Sequence, residues 1–315
     1  MIKLLVTTKP FGEKNNALHM LNAHMPDNFN LFKGTIEPNK KALICHLDHL
    51  QPETIIAGTE PYDKEVLDCC TNLRLIARVG IGLNSIDLEE CKKRGIIVTY
   101  TPDAPSNAVA ELTICQMLNL LRQVRSVSNT LVDGYWDRYI GRELCNCKIG
   151  IIGFGRIGSL VYSKLRGMGC SYDSILFNDI KVDPAFIYDD KTKEEILKEC
   201  DIITLHIPYN KDNHHFINKK EFEIMGNNKI LINTSRGGIV NEQALYNWLQ
   251  CPTNMTATDT FESEPYTGNL KYCSNAILTP HLGSCTLQSR KDMEEGAVAE
   301  VLNYFNDHTY NNRVI

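Results

Sequence analysis

The 315-residue sequence holds no apolar run approaching the roughly 18 residues that a membrane-spanning helix needs. Its opening stretch, Met1 to Thr8, is too short in apolar residues for a signal peptide and has no small-residue cleavage site; it reads as a first strand. Basic residues do not cluster. The densest run, Lys92-Lys93-Arg94, suits a solvated helix end, and 33 Lys+Arg against 38 Asp+Glu give a net charge of −5. This balance argues against a broad nucleic-acid footprint. The twelve cysteines are irregularly spaced, and neither Cys69-Cys70 nor Cys145-Asn-Cys147 matches a zinc pattern, so no metal site is expected. Twelve free thiols in a reducing cytoplasm is the reading that follows. Fixed-period repeats and low-complexity segments are absent too.

What is present is ordinary globular composition, 43% hydrophobic and 23% charged, long enough for about two domains. Short β-rich runs alternate with helical stretches. The strands read as Lys3–Thr7, Ala42–Cys45, Leu75–Val79 and Ile96–Thr99, then Ile149–Gly153, Ser174–Asn178, Ile202–Ile207, Ile230–Asn233, Met255–Thr258 and Ala276–Leu278. Apolar strands alternating with helices imply parallel sheets covered on both faces, an α/β fold. A joint falls near Thr101-Pro-Asp-Ala-Pro105, and a helix capped at Ser106-Asn107 follows. That helix is apolar on more than one face, which suggests burial within the chain or against a second subunit. The last helix, about Leu287–Phe305, either completes the second domain or returns to the first.

The strand Lys148–Ile152 runs into Gly153-Phe-Gly155-Arg156-Ile157-Gly158 and then a helix, Ser159–Met168. In that setting G-x-G-x-x-G signals a dinucleotide. Gly153 permits the tight turn, Gly155 lets a pyrophosphate approach and Gly158 lets helix and strand pack closely, while the helix N-terminus offers unpaired N–H groups. Arg156 adds a positive charge. Asp179 ends the next strand about 20 residues on, where a carboxylate accepts both ribose hydroxyls of NAD and repels the 2′-phosphate of NADP; Lys181 weakens that exclusion slightly. His206, in His206-Ile-Pro208, lies at the carboxyl edge of its strand, where open α/β sheets bind ligands.

Three further residues follow strands at that edge: Arg236 on a Gly-rich turn, Glu264 in Asp259-Thr-Phe-Glu-Ser-Glu264-Pro265, and His281 in Pro280-His281-Leu-Gly283. An arginine holds a carboxylate bidentately, and a histidine paired with a glutamate moves a proton near neutral pH. Hydride transfer to a keto acid requires both. Taken singly, each residue reads equally as a surface charge or a loop residue.

With Arg78-Val-Gly-Ile-Gly82, Ala108-Val-Ala-Glu111, the Gly153–Gly158 loop, Asn233-Thr-Ser-Arg236-Gly, Asp259–Pro265 and Pro280–Gly283 in this order, nearly the whole chain resembles the D-isomer-specific 2-hydroxyacid dehydrogenases, in their phosphoglycerate-dehydrogenase-like branch. The resemblance implies two Rossmann-like or flavodoxin-like doubly wound domains with parallel sheets and an active site in the cleft between them. It implies a discontinuous substrate domain, residues 1–102 plus 285–315, around an NAD-binding domain, 103–284. It implies a homodimer through the NAD domain, using the long helix after Pro105. By the same resemblance Arg236 binds and polarises the substrate carboxylate, His281 is the general acid or base, and Glu264 orients it. Backbone N–H groups at Val79 and Gly80 hold the carboxylate. Asp259 takes the nicotinamide carboxamide, and Thr234, Ser235, His206, Pro208, Ile157, His281 and Gly283 line the coenzyme site.

The chain departs from that pattern in having Asn84-Ser85 where Asp-Asn is frequent, and with 34 residues after His281 the expectation is that a C-terminal regulatory domain of the phosphoglycerate dehydrogenase type is absent. The implied activity is NAD-dependent interconversion of a D-2-hydroxy acid and its 2-keto acid. 3-Phosphoglycerate or a similar polar acid is the first expectation, with Lys9 as a candidate phosphate partner. Glyoxylate or hydroxypyruvate reduction is the alternative within the class, and an NAD-sensing, corepressor-like binding module the alternative outside it. Formate oxidation is disfavoured, because family members that perform it carry Gln where this chain has Pro280. Cys285, near His281, is expected as a buried, inert thiol.

Overall fold

In the computed structural model, which describes residues 2–9, 11–26, 28–34, 40–180 and 191–315, the chain divides into two units. Unit 1 comprises Met1–Pro105 and Thr286–Ile315, and unit 2 comprises Ser106–Cys285. No helix of the described residues is long and apolar enough to cross a membrane.

Unit 1 runs β1 (Ile2–Val6), α1 (Ala17–His24), β2 (Phe29–Lys33), α2 (Lys40–Leu50), β3 (Thr54–Ala57), α3 (Lys64–Asp68), β4 (Leu75–Arg78), α4 (Leu88–Lys93) and β5 (Ile97–Thr99). The five strands are parallel in the order β2-β1-β3-β4-β5. One face of the sheet packs Leu5, Ile55, Ile76 and Val98 against Leu43, Leu47 and Leu67. The other packs Leu4, Val6, Ile56 and Ala77 against Leu21, Val298 and Val301. Burial on both faces is what makes the inner strands β1, β3 and β4 largely apolar.

Ala42–Cys45 is not a strand. It lies inside α2, where Leu43 and Leu47 are spaced one turn apart and both fully buried. The strands there are β2 and β3. β2 is a half-exposed edge strand, and β3 has only four residues between Pro52 and Gly58.

Unit 2 begins with α5 (Ser106–Arg122) and α6 (Val124–Val132). It continues through β6 (Ile149–Ile152), α7 (Arg156–Gly167), β7 (Ile175–Asn178), α8 (Lys193–Glu199), β8 (Ile202–Leu205), α9 (Lys219–Met225), β9 (Ile230–Asn233), α10 (Glu242–Trp248), β10 (Met255–Thr258) and β11 (Ala276–Leu278). Its six parallel strands are ordered β11-β10-β9-β8-β6-β7. The chain leaves β6 for β7 on one side and returns to β8 on the other, so the switch point lies at the end of β6.

The apolar faces of α5 are covered by its own chain. Ala110, Ile114, Met117, Leu120 and Leu121 join Ile149, Ile151, Val161 and Leu165 in one core cluster. Own-chain burial covers these faces, while Leu118 of the same helix is 36% exposed. The exposed apolar surface lies just beyond: α6 buries none of its residues, and Val132, Trp136 and Ile140 are 84, 81 and 95% exposed.

The last helix, α11 (Leu287–Asn306), packs on α1, β3 and β4 of unit 1. Its buried Glu294 accepts hydrogen bonds from the Gly12 N–H and Asn15 Nδ2, both at 2.8 Å, and pairs with Arg290.

Candidate active site

The Gly153–Gly158 loop stands at the unit 2 switch point. Gly153 has φ +95°, and a Cβ there would lie 2.6 Å from the carbonyl of His206. A Cβ on Gly158 would run into the Gly153 carbonyl oxygen. Gly155, by contrast, faces open space and caps α7 without any side chain. Two glycines are thus required by the chain itself, and the third leaves room for a ligand at the helix N-terminus. Asp179 is not a mere turn residue: its Oδ2 accepts the Phe154 N–H at 2.6 Å, tying the end of β7 to the glycine loop. Lys181 lies outside the described residues. Arg156 is exposed at the start of α7, Ile157 is partly buried and Pro208 is exposed.

His206 follows β8. Its Nε2 lies 3.0 Å from Thr204 Oγ1, its Nδ1 is buried with no hydrogen-bond partner, and burial pulls the imidazole pKa down to about 3.

The residues after β9, β10 and β11 build one arrangement. Asn233 Oδ1 accepts the Ser235 N–H and hydroxyl at 3.1 and 2.7 Å, and its Nδ2 donates to the Arg236 carbonyl at 2.9 Å. These bonds hold the loop that carries Arg236. A Cβ on Gly237 would collide with the Phe261 backbone, so the loops bearing Arg236 and Glu264 touch. Buried Thr234 meets Thr113 of α5, hydroxyl to hydroxyl, at 3.0 Å.

Glu264 Oε2 lies 2.9 Å from His281 Nδ1, and Glu264 Oε1 accepts the Phe261 N–H at 3.0 Å. Burial pushes the Glu264 carboxyl up, but its bond to His281, the Phe261 N–H and the Arg236 charge together hold it below the usual glutamate value. Burial draws the Arg236 guanidinium down, opposed by Glu264. Each of the pair therefore sits in the other's field, and His281 shares the carboxylate.

His281 has φ +53°, a left-handed conformation uncommon for a side-chain-bearing residue. Asp259 supports it. The Asp259 carboxylate, 1% exposed, accepts the Leu282 and Gly283 N–H groups, both at 2.7 Å, and the Thr279 hydroxyl at 2.6 Å, while its carbonyl accepts the His281 N–H at 2.9 Å. Composition and motif spacing gave no sign of this anchoring function. Cys285 is exposed rather than buried, because the turn leaves it outside; its thiol lies 3.7 Å from the His281 carbonyl oxygen.

In unit 1 the Val79–Gly80 expectation needs correction. The Val79 N–H continues the sheet by donating to Ala57 O at 3.0 Å, and the Gly80 N–H donates to Thr101 Oγ1 at 2.8 Å. Both are committed internally. Among the described residues the N–H groups of Ile81 and Gly82 make no hydrogen bond. Arg78, 8% exposed, shapes the turn by donating to the carbonyls of Val79 and Gly82, the latter at 3.1 Å.

Residues 114–283 match the model of the D-isomer specific 2-hydroxyacid dehydrogenase NAD binding domain. The chain belongs to that family. It is 36% identical over 251 residues to a glyoxylate reductase of Thermococcus litoralis, covering 75% of each chain. It is 35% identical over 259 residues to a D-3-phosphoglycerate dehydrogenase of Methanocaldococcus jannaschii, which covers 80% of this chain but 49% of that longer relative. A solved structure, the TT0316 protein of Thermus thermophilus, superposes with a TM-score of 0.89 at 29% identity over the full length of both.

Unit 2 is thus the NAD binding domain of a 2-hydroxyacid dehydrogenase, an NAD-dependent oxidoreductase. The residues fit that coenzyme. The open space at Gly155, the bare N-terminus of α7 and the Asp179 carboxylate beside the loop are the parts a dinucleotide requires.

Proposed function

We propose that this 2-hydroxyacid dehydrogenase reduces a small, unphosphorylated 2-keto acid of glyoxylate or hydroxypyruvate size to its D-2-hydroxy acid, with unit 1 as the substrate side. Bound NADH supplies the hydride. Gly153, Gly155, Gly158 and Asp179 hold the dinucleotide; Arg156, Ile157, His206, Pro208, Thr234, Ser235 and Gly283 line its site. Arg236 pairs with the substrate carboxylate and polarises the keto group. Within unit 1, the Ile81 and Gly82 N–H groups of the Val79–Gly82 turn are the ones left for an anion.

His281 gives its Nε2 proton to the carbonyl oxygen as the alcohol forms, and takes it back in the reverse direction. Glu264, bonded to Nδ1, fixes the ring so that Nε2 is the nitrogen left to act. The observation that carries this reading is the 2.9 Å pairing of Glu264 and His281 within the field of Arg236. It is tested with a panel of 2-keto and 2-hydroxy acids, with and without phosphate, followed by nicotinamide absorbance. Turnover of none of them overturns it.

A second reading, 3-phosphoglycerate oxidation, draws on the Methanocaldococcus relative and on Lys9, exposed at the end of β1. The same panel decides between the two. The exposed apolar surface of α6 and the segment after it supports a homodimer through unit 2.

A further inference from the structure

Cys145 and Cys170 stand 25 positions apart in the sequence and form no recognisable motif, yet their sulfurs meet inside unit 2. The Cys170 thiol donates to Cys145 Sγ at 3.6 Å, and the Cys145 thiol donates to the Met168 carbonyl at 3.3 Å. Cys145 is exposed, whereas Cys170 is fully buried in the core cluster of α5, β6 and α7. Burial and the neighbouring Cys145 push the Cys170 thiol up to about 12. Cys145 is therefore the sulfur of the pair that meets a solute first.

Both backbones are held. α7 ends in a Schellman turn: the Gly169 N–H, at φ +95°, donates to the Arg166 carbonyl at 3.0 Å, and the Cys170 N–H donates to the Leu165 carbonyl at 3.1 Å. Arg166 also donates to the Cys170 carbonyl and lies over the Tyr172 ring. Cys145 sits in a 3₁₀ turn, Leu144–Asn146, which is pinned by buried Leu144 and by the Cys147 N–H on the Leu144 carbonyl at 3.1 Å. Two sulfurs already in contact need to approach by only about 1.5 Å to reach a disulfide bond length. Between the two cysteines lie β6, the Gly153–Gly158 loop and α7 in full. The pair stands where β6 begins and α7 ends; the glycine loop stands where β6 ends and α7 begins. The two are at opposite edges of the sheet.

We propose that Cys145 and Cys170 form a redox modification site, which a hydroperoxide closes into a disulfide that cyclises the dinucleotide-binding segment and stabilises unit 2 while leaving coenzyme affinity unchanged. The proposal holds whichever acid the enzyme reduces. The Cys145 thiolate attacks the peroxide, the O–O bond breaks, and Cys145 becomes a sulfenic acid as the first water leaves. The Cys170 sulfur then attacks the Cys145 sulfur, the S–O bond breaks, and the departing hydroxide takes the Cys170 proton as the second water. Two thiols are oxidised by two electrons and one peroxide is reduced. The buried partner at 3.6 Å captures the sulfenic acid before further peroxide carries it to the irreversible acids. Closing a loop of this length restricts the unfolded chain, which is the source of the stabilisation.

The test treats the full-length wild-type protein and its variants with a small excess of hydrogen peroxide, then maps the cysteines by mass spectrometry without reduction. We expect a Cys145–Cys170 cross-linked peptide, two hydrogens lighter than its parts and lost on adding dithiothreitol. Oxidised wild type should melt at least about 4 °C above its reduced form. Its NADH dissociation constant should change by less than about twofold, because the bond is remote from the glycine loop. Exposed Cys145→Ser should fold normally, give no cross-link and show no rise in Tm. Cys170→Ala should leave Cys145 as a sulfenic acid that dimedone traps. Cys147→Ala, which removes the third sulfur of this region, should keep both the cross-link and the rise.

Recovery of Cys145 as a sulfinic acid beside a free Cys170 in oxidised wild type overturns the proposal, as does a bond from either cysteine to a different partner. A Cys145–Cys170 bond that raises Tm no more than the same treatment raises it in Cys145→Ser overturns the stabilising role. A bond that weakens NADH binding tenfold overturns its separation from the coenzyme site.

Discussion

Glu264 Oε2 and His281 Nδ1 are 2.9 Å apart, although Asp259, not Glu264, holds the turn on which His281 sits. Orientation of the ring and anchoring of the backbone are thus divided between two carboxylates. His281→Ala is expected to lower kcat by about 10²–10⁴-fold, the range for loss of a positioned acid–base group, with NADH affinity unchanged. Coenzyme fluorescence titration beside steady-state kinetics reads both. Full turnover in the variant refutes the assignment of the proton to His281.

Glu264→Gln separates pairing from mere packing. The folded-state pKa of Glu264 lies below its ordinary value, because His281, Phe261 N–H and Arg236 outweigh burial. Its stabilising contribution is therefore complete above the ordinary glutamate value and is lost as pH falls through the depressed folded one. The Tm difference between wild type and variant should stay constant from pH 7 to about 5 and shrink below about pH 4.5. Parallel Tm curves down to pH 3 would mean the carboxylate gains nothing from its neighbours.

Much of unit 2 was legible in the sequence, since most of its core strands are short apolar runs that lead into a motif residue. β9, β10 and β11 fall at Ile230–Asn233, Met255–Thr258 and Ala276–Leu278, as read. Unit 1 was harder. Ala42–Cys45 looks β-rich over four residues, and only the spacing of Leu43 and Leu47 with the residues around them makes it helix. β2 hides because an edge strand needs few apolar residues.

Within the site, Arg236, Glu264 and His281 were visible because their residue types carry chemistry. The grip of Asp259 on Leu282 and Gly283 was not, because it involves backbone donors that no side-chain pattern encodes.

Asp259→Asn measures that grip. The amide replaces one acceptor oxygen with a donor, so the Leu282 or the Gly283 N–H loses its partner, at a cost of about 1–3 kcal/mol. The left-handed conformation of His281 then loses part of its support. We expect kcat to fall at least about tenfold with little change in substrate KM. A rise in KM at constant kcat would instead place Asp259 in ground-state binding.

His206 gives a second pH signature. Its folded pKa is near 3 against an ordinary 6.5, because the ring is buried and must stay neutral. Stability from the neutral ring is fully present above about pH 6.5 and drains away as pH falls toward 3, since the unfolded chain takes up the proton first. His206→Asn removes that titration. Its Tm should fall less than that of wild type between pH 6.5 and 4.5, and equal falls would show that the ring protonates freely when folded.

The partner surface is the remaining prediction. Trp136 and Ile140 stand 81 and 95% exposed beyond a helix that buries nothing, and Val132 adds a third large apolar side chain at 84%. Large apolar side chains this exposed along one short segment suit an interaction surface. A twofold axis would cover each copy of the patch with its counterpart, so one substitution acts twice per interface. Trp136→Glu with Ile140→Glu is expected to convert a dimer to a monomer in light scattering at micromolar concentration, with the far-ultraviolet circular dichroism preserved. A wild-type protein that is monomeric at the same concentration, or a double variant that still dimerises, would place the interface elsewhere.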